Sequence, residues 1–344
     1  MASLHGRLAS GLFLLLALTI GAGCKRSEPA PAKALLFPEL AERQDELQNV
    51  QLRGAGNKAL VTLVRKDGRW RVAERADWPA DAGRLSQYLF VLSQTHGVEP
   101  KTANPKLYSR LGVEPISSPG ATGTELSLAG GGISSRLLIG HDHAKLNSNY
   151  VRIDGQAQTW LTDLPVSFDR DPASWLDRRL IDLPLARISA VRVSGGDARP
   201  FSLSHRDDRF RLDDVPSAAM RDSYQGDALA SVLEQLKFED LAADDGTPVV
   251  ERELRFDSVD GRQVTIQAWH EGSQLWVRLA ASLDEKQVLA WTRQAGNEKA
   301  AEGLRKQVAV WNERFNAHRF LLAESVAATL MLSHDKILAG VPAE

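Results

Sequence analysis

A single cysteine, Cys24, stands in 344 residues, which excludes an internal disulfide and leaves one thiol to be explained by its position. Long apolar runs are missing too. The longest, Gly11–Gly23, has 13 residues, short of the 18 or so that a spanning helix needs. Charge of one sign is lacking: 42 Lys and Arg against 44 Asp and Glu give a formal net charge of -2, so long-range electrostatics implies neither nucleic acid nor an acidic partner. A broad basic face with aromatic platforms, as nucleic-acid binding requires, is not evident either; the basic pairs are Lys25-Arg26 and Arg178-Arg179. Hydrolase signatures are absent: there is no Gly-x-Ser-x-Gly, and Gly130-Gly131-Gly132 lacks the lysine of a phosphate-binding loop and predicts a tight turn. The acidic runs Glu239-Asp240 and Asp244-Asp245 are expected to be solvated.

What is present is the composition of a globular core with a solvated surface, 43% hydrophobic and 25% charged, in a chain long enough for one large domain or two to three ordinary ones. Eight Trp exceed four Tyr, and such rings are expected mainly in the core. Residues 1–23 form an address: Arg7, then the apolar run, then Ile20-Gly21-Ala22-Gly23-Cys24. This last segment resembles the lipobox of bacterial lipoproteins, with Gly21 where leucine is usual. The resemblance implies cleavage before Cys24 and lipidation of its thiol, several acyl chains holding far more firmly than one. An uncleaved anchor starting at Leu8 and a secreted protein cut elsewhere are the alternatives. The two anchored readings both place the body outside the cytoplasm, in the periplasm of a bacterial envelope, at either the inner or the outer membrane. Residues 24–37, with Pro29 and Pro31, are expected to be the lipidated Cys and a flexible tether.

The body is written twice. Val61-Thr-Leu-Val-Arg-Lys-Asp-Gly-Arg-Trp-Arg-Val72 aligns without a gap on Phe201-Ser-Leu-Ser-His-Arg-Asp-Asp-Arg-Phe-Arg-Leu212. Asp67-Gly68 is a hairpin signal between apolar runs and Asp207-Asp208 a weaker one. Leu85, Leu89 and Leu92 recur at helical spacing, and so do Leu229, Leu233 and Leu236. Tyr150-Val-Arg-Ile153 pairs with Trp276-Val-Arg-Leu279, and Ser174-Trp175 with Val310-Trp311. The expected fold is α+β: two tandem copies of an antiparallel β-rich unit, 38–187 and 188–325, each with a packed amphipathic helix, followed by a C-terminal helix and tail at 326–344. Locally, Leu107–Leu111 predicts a short helix ended by Gly112 in a left-handed conformation, and Asp171-Pro172 a helix start.

Leu35-Leu-Phe-Pro-Glu-Leu40, Val61–Trp70, Trp78-Pro-Ala-Asp81, Asn104-Pro-Lys-Leu-Tyr-Ser-Arg-Leu-Gly-Val113, Leu138-Ile-Gly140 and Tyr150-Val-Arg152 together resemble one bacterial family, the domain of unknown function DUF4340. The resemblance covers most of residues 35–280. It implies a protein tied to the envelope and, for some members, association with ABC-type transport systems. It brings no catalytic residues, and Cys24 replaces the plain membrane anchor of many members.

Gly140-His141-Asp142-His143 is the one cluster that invites a metal. His141 and His143 are its candidate ligands, but a third is not evident and a solvated hairpin loop is the expectation. The functional expectation is a non-catalytic envelope lipoprotein acting as an accessory or scaffold, with ABC transporter subunits as partners, no cofactor and no nucleic acid. The alternative is a binding module for a glycan or lipid seated between the repeats. Exposure of a group among Trp160, Trp175, Trp269 and Trp276 would favour it.

Overall fold

The computed structural model describes residues 33–143, 145–196, 199–206, 208–216, 224–244, 246–296 and 299–339. Cys24, the expected signal peptide 1–23 and most of the expected tether lie outside them. The tether ends earlier than position 37. Ala34–Leu35 already forms a strand, and Leu36 and Phe37 are buried, because three apolar side chains in a row gain more from the core than from water.

Two large antiparallel sheets and packed helices make this an α+β protein. The first sheet contains β1 (Ala34–Leu35), β2 (Asn49–Gly54), β3 (Lys58–Lys66), β4 (Arg69–Val72), β5 (Trp78–Pro79), β6 (His96–Pro100), β7 (Thr124–Gly130), β8 (Ile133–His143), β9 (Ser148–Ile153) and β10 (Thr159–Thr162), in the order β1-β6-β10-β9-β8-β7-β2-β3-β4-β5. The helices α1 (Pro38–Arg43), α2 (Ala82–Gln94) and α3 (Tyr108–Leu111) accompany it. A two-stranded ribbon, β11 (Arg179–Ile181) with β15 (Leu236–Lys237), joins it to the second sheet. That sheet contains β12 (Ile188–Ser194), β13 (Phe201–Arg206), β14 (Arg209–Leu212), β16 (Asp240–Ala243), β17 (Arg252–Ser258), β18 (Arg262–Glu271), β19 (Gln274–Leu283) and β20 (His318–Leu321), in the order β14-β13-β12-β17-β18-β19-β20-β16. Its helices are α4 (Gln225–Ala230), α5 (Glu285–Gln294), α6 (Ala300–Phe315), α7 (Glu324–Leu330) and α8 (His334–Ala339). No described helix is long and apolar enough to cross a membrane.

Local chemistry explains the elements. Asp67 and Gly68 both adopt positive φ (50° and 74°) between β3 and β4, the two-residue hairpin geometry that matches strand twist. The Asp81 carboxylate accepts from the Arg84 N–H at 3.0 Å to cap α2, whose Leu85, Leu89 and Leu92 are buried. Gly112 ends α3 at φ 70°, and Asp171 caps a 3-10 turn, Pro172–Trp175, where a helix start was expected. In the second half the expected helix over Leu229, Leu233 and Leu236 breaks. α4 stops at Ala230, a 3-10 turn runs to Leu233, and Gln235 at φ 53° turns the chain so that Leu236 enters β15. Trp175 and Trp311 are not equivalent either: Trp175 follows β10, whereas Trp311 lies on α6, before β20. The single C-terminal helix expected from 326 is two, α7 and α8.

One contiguous apolar core runs through both sheets. At the junction the Trp78 ring meets the rings of Phe238, His318 and Phe320 edge-on at 5.2–5.4 Å, and its indole N–H donates to the Asp177 carbonyl at 2.9 Å. Arg75 grips Asp240 with two hydrogen bonds, at 2.6 and 3.0 Å. The space between the halves is therefore filled, and the open ground lies beside this seam.

Candidate functional site: a cationic groove at the junction

A groove of about 830 Å³ opens where the β4–β5 edge, the start of α2, the Pro172–Trp175 turn and the β11–β15 ribbon converge. Arg69, Trp70, Arg84, Arg178, Arg179 and Lys237 line it, so cations dominate its wall. Two carboxylates also reach it, Asp81 and Asp177. Both are engaged within the fold. Asp81 caps α2. Asp177 accepts from Arg179 at 3.0 Å and lies 3.5 Å from Arg314. Burial opposes ionisation of Asp177, but the hydrogen bonds from Arg179 and the charge of Arg314 prevail and hold its carboxyl below the usual carboxylate range.

The cations differ in how far they are satisfied. Arg84 bonds Asp169 at 3.0 Å and lies over the Trp175 ring at 4.8 Å. Arg178 has Glu239 at 3.4 Å. Arg179 has Asp177, yet its side chain is 78% exposed. Arg69 and Lys237 are exposed, and among the described residues no carboxylate lies within ion-pair distance of either. Such a wall suits an anionic ligand.

His141 and His143 lie elsewhere, at the end of β8 and not in a hairpin loop. Backbone pairing extends to Asp142 with Asn149 and His143 with Ser148, past a register shift. The three side chains go to different partners. His141 Nε2 is 3.1 Å from the Thr122 hydroxyl. Asp142 accepts from the buried Asn149 amide at 2.6 Å and from Ser167 at 3.0 Å. The His143 ring meets Tyr150 edge-on at 5.9 Å. Among the described residues no three His, Cys, Asp or Glu side chains converge as metal ligands.

The four tryptophans form no stacking surface. Trp175, Trp269 and Trp276 are buried, and Trp160 is partly buried against the core. The exposed large apolar residues among those described are Phe90, Leu146, Tyr224, Val249, Leu289 and Val310, which are scattered.

The model of the family described as a domain of unknown function, DUF4340, matches residues 70–258, which is 189 of the 344 residues. The chain belongs to this family. No curated protein and no solved structure matches it. The DUF4340 match starts at Trp70 on β4 and ends at Ser258 on β17, so it crosses from the first sheet into the second. It takes in the whole ribbon and all of the groove wall except Gly68 and Arg69. Within DUF4340 the junction is thus part of the family unit itself. Of its groove cations, only the Arg178-Arg179 pair stood out in the sequence as a basic cluster. The others are up to 168 positions apart (237 − 69) and carry no shared local signal.

Proposed function

We propose that this DUF4340 member is a lipoprotein of the bacterial envelope, anchored through Cys24 with its body in the periplasm. There it serves as a non-catalytic accessory or scaffold for an ABC-type transport system, and it binds its partner in the junction groove. The observation that carries this reading is the groove itself: an open, cation-lined surface built by the edge of the first sheet, the start of α2 and the β11–β15 ribbon, suited to a protein segment. The transport association rests on the family resemblance. Ten positions separate Cys24 from Ala34 (34 − 24), a reach of at most about 35 Å. Leu36 bonds the Thr95 carbonyl at the far end of α2, roughly 20 Å along the helix from the groove. An anchored body would hold the groove within range of the periplasmic part of a membrane permease.

The reading includes duplication of an ancestral α+β unit. It is supported by the strand orders: β4-β3-β2-β7-β8-β9-β10-β6 in the first sheet has the same sequence of roles as β14-β13-β12-β17-β18-β19-β20-β16 in the second. β1 and β5 are added at the edges of the first sheet, and α5 with α6 is inserted before β20 in the second.

The test is an affinity pull-down of C-terminally tagged protein from detergent-solubilised envelopes, with Cys24→Ser alongside. Permease or ATPase subunits should accompany the wild type and be lost from the variant. Recovery of neither subunit with the wild type contradicts the reading.

A further inference from the structure

The two halves treat one corner of their sheets differently. In the second, β14 is covered by the start of α4. Asp227 accepts from the Phe210 N–H at 2.8 Å, and its carboxylate lies 3.9 Å from the Arg209 guanidinium. The Arg209 guanidinium also lies 4.0 Å from the centre of the Tyr224 ring. Gly226 sits so tightly on the strand that a Cβ there would meet the Phe210 carbonyl at 2.1 Å. The corner is closed by the chain's own acid.

At the matching corner of the first half β5 pairs with β4 and the Ala80 N–H donates to the Trp70 carbonyl at 2.9 Å, but the space over Arg69 opens into the groove. The gapless strand alignment sets Arg69 against Arg209 and Trp70 against Phe210, and the helix alignment (229 − 85 = 144) sets Gly83 against Asp227. The residue that supplies the carboxylate in the second half is therefore a glycine in the first. Gly83 has ordinary backbone φ, and a Cβ on it would meet only the Asp81 side chain, at 3.3 Å. A Cβ on Gly68, at the turn beside Arg69, would meet nothing within 4 Å beyond its chain neighbours. Among the described residues Arg69 consequently has no acid within ion-pair distance, in a groove whose other cations are Arg84, Arg178, Arg179 and Lys237.

From this comparison we infer that the groove takes an acidic, extended segment of a partner protein, one of whose carboxylates binds Arg69 in the place that Asp227 holds beside Arg209. The inference rests on the partner-binding reading and names the chemistry of the segment. The chain's near-neutral net charge conceals this, because acids elsewhere balance a local excess of cations. Apolar wall from Trp70, Pro79, Ala80 and Leu176 favours a segment in which acidic and apolar residues alternate over a lipid headgroup or free phosphate, neither of which would use that wall.

The test uses the full chain in detergent micelles and a fluorescein-labelled decapeptide of alternating Glu and Leu, followed by fluorescence anisotropy. A decapeptide with Gln for Glu, inorganic phosphate and phosphatidylglycerol vesicles serve as competitors. Arg69→Ala should weaken binding of the Glu peptide about tenfold, as loss of one partner of a close charge pair does. Gly83→Asp should weaken it at least as much, by returning the missing carboxylate to the chain, while its urea midpoint stays equal to or above that of the wild type. Only unlabelled Glu peptide, added as a fourth competitor, should displace the probe. Unchanged affinity in Gly83→Asp, equal competition by the Gln peptide, or displacement by phosphate or vesicles overturns the inference. If Gly83→Asp still retrieves permease subunits from envelopes while the Glu peptide fails to bind, the acidic segment is wrong and the accessory reading stands.

Discussion

Asp260 and Arg262 show how a short sequence interval is turned into a fixed point of the fold. Their side chains are 2% and 9% exposed and joined by hydrogen bonds of 2.6 and 2.9 Å, and Ser258 donates to the same carboxylate. Arg262 also reaches Gln307 at 2.9 Å, so the pair ties the β17–β18 turn to α6. Burial opposes the charge on Asp260, but the hydrogen bonds from Arg262 and Ser258 outweigh it and hold the carboxyl below its ordinary range. Because the folded value is depressed, the stabilisation is present above the unfolded carboxylate value of about 3.9 and is lost as pH falls through the lower folded value. Asp260→Asn should lower the urea unfolding free energy at pH 7 by about 3 kcal/mol, leaving Arg262 buried without its counter-charge. The gap from wild type should close in acid. A gap that is small at pH 7, or constant with pH, would refute this role. At this scale the sequence was legible where chemistry is local: Asp67-Gly68, Gly112 and Asp171 behave as their types dictate. The Asp260–Arg262 pair was not legible, since a carboxylate two residues from an arginine is common and only burial makes it matter.

At the scale of elements, alternation and helical spacing identified strands and α2 correctly but misjudged the second helix. Leu229, Leu233 and Leu236 keep helical spacing, yet Leu236 is drawn into β15, where it pairs with Ile181. The pull is tertiary: the ribbon must form to join the halves, and Gln235 accepts a positive φ to let it. The Asp182 side chain takes the Gln235 N–H at 3.2 Å, which fixes that bend. Gln235→Gly should therefore stabilise the protein, by up to about 1 kcal/mol in urea unfolding, because glycine adopts that region without a Cβ clash. A loss of stability would show that the Gln235 side chain itself holds the ribbon. The His141–His143 segment was misplaced for a similar reason. Polar residues after Gly140 suggest a loop, but pairing of β8 with β9 carries the strand to its last histidine.

The whole molecule is more unified than two copies in tandem suggest. Trp78, buried against Phe238 and Phe320, and the Arg75–Asp240 pair bind the halves across a filled seam, and the DUF4340 match spans it. The proposed repetition was legible in the residues, because the strands it matches keep matching apolar positions. The groove was not, because its cations come from β4, α2, β11 and β15 and meet only after both halves fold. Its position beside the seam is what makes a partner-binding role concrete, and a crosslink from its wall tests that most directly. A photoreactive amino acid at Lys237, on the groove, is compared in living cells with one at Glu302, an exposed position on α6 whose side chain is 72% accessible. The expected outcome is a covalent adduct with a transporter subunit from position 237 and none from 302. An adduct from 302 alone, or none from 237 in cells that contain the anchored protein, would contradict it.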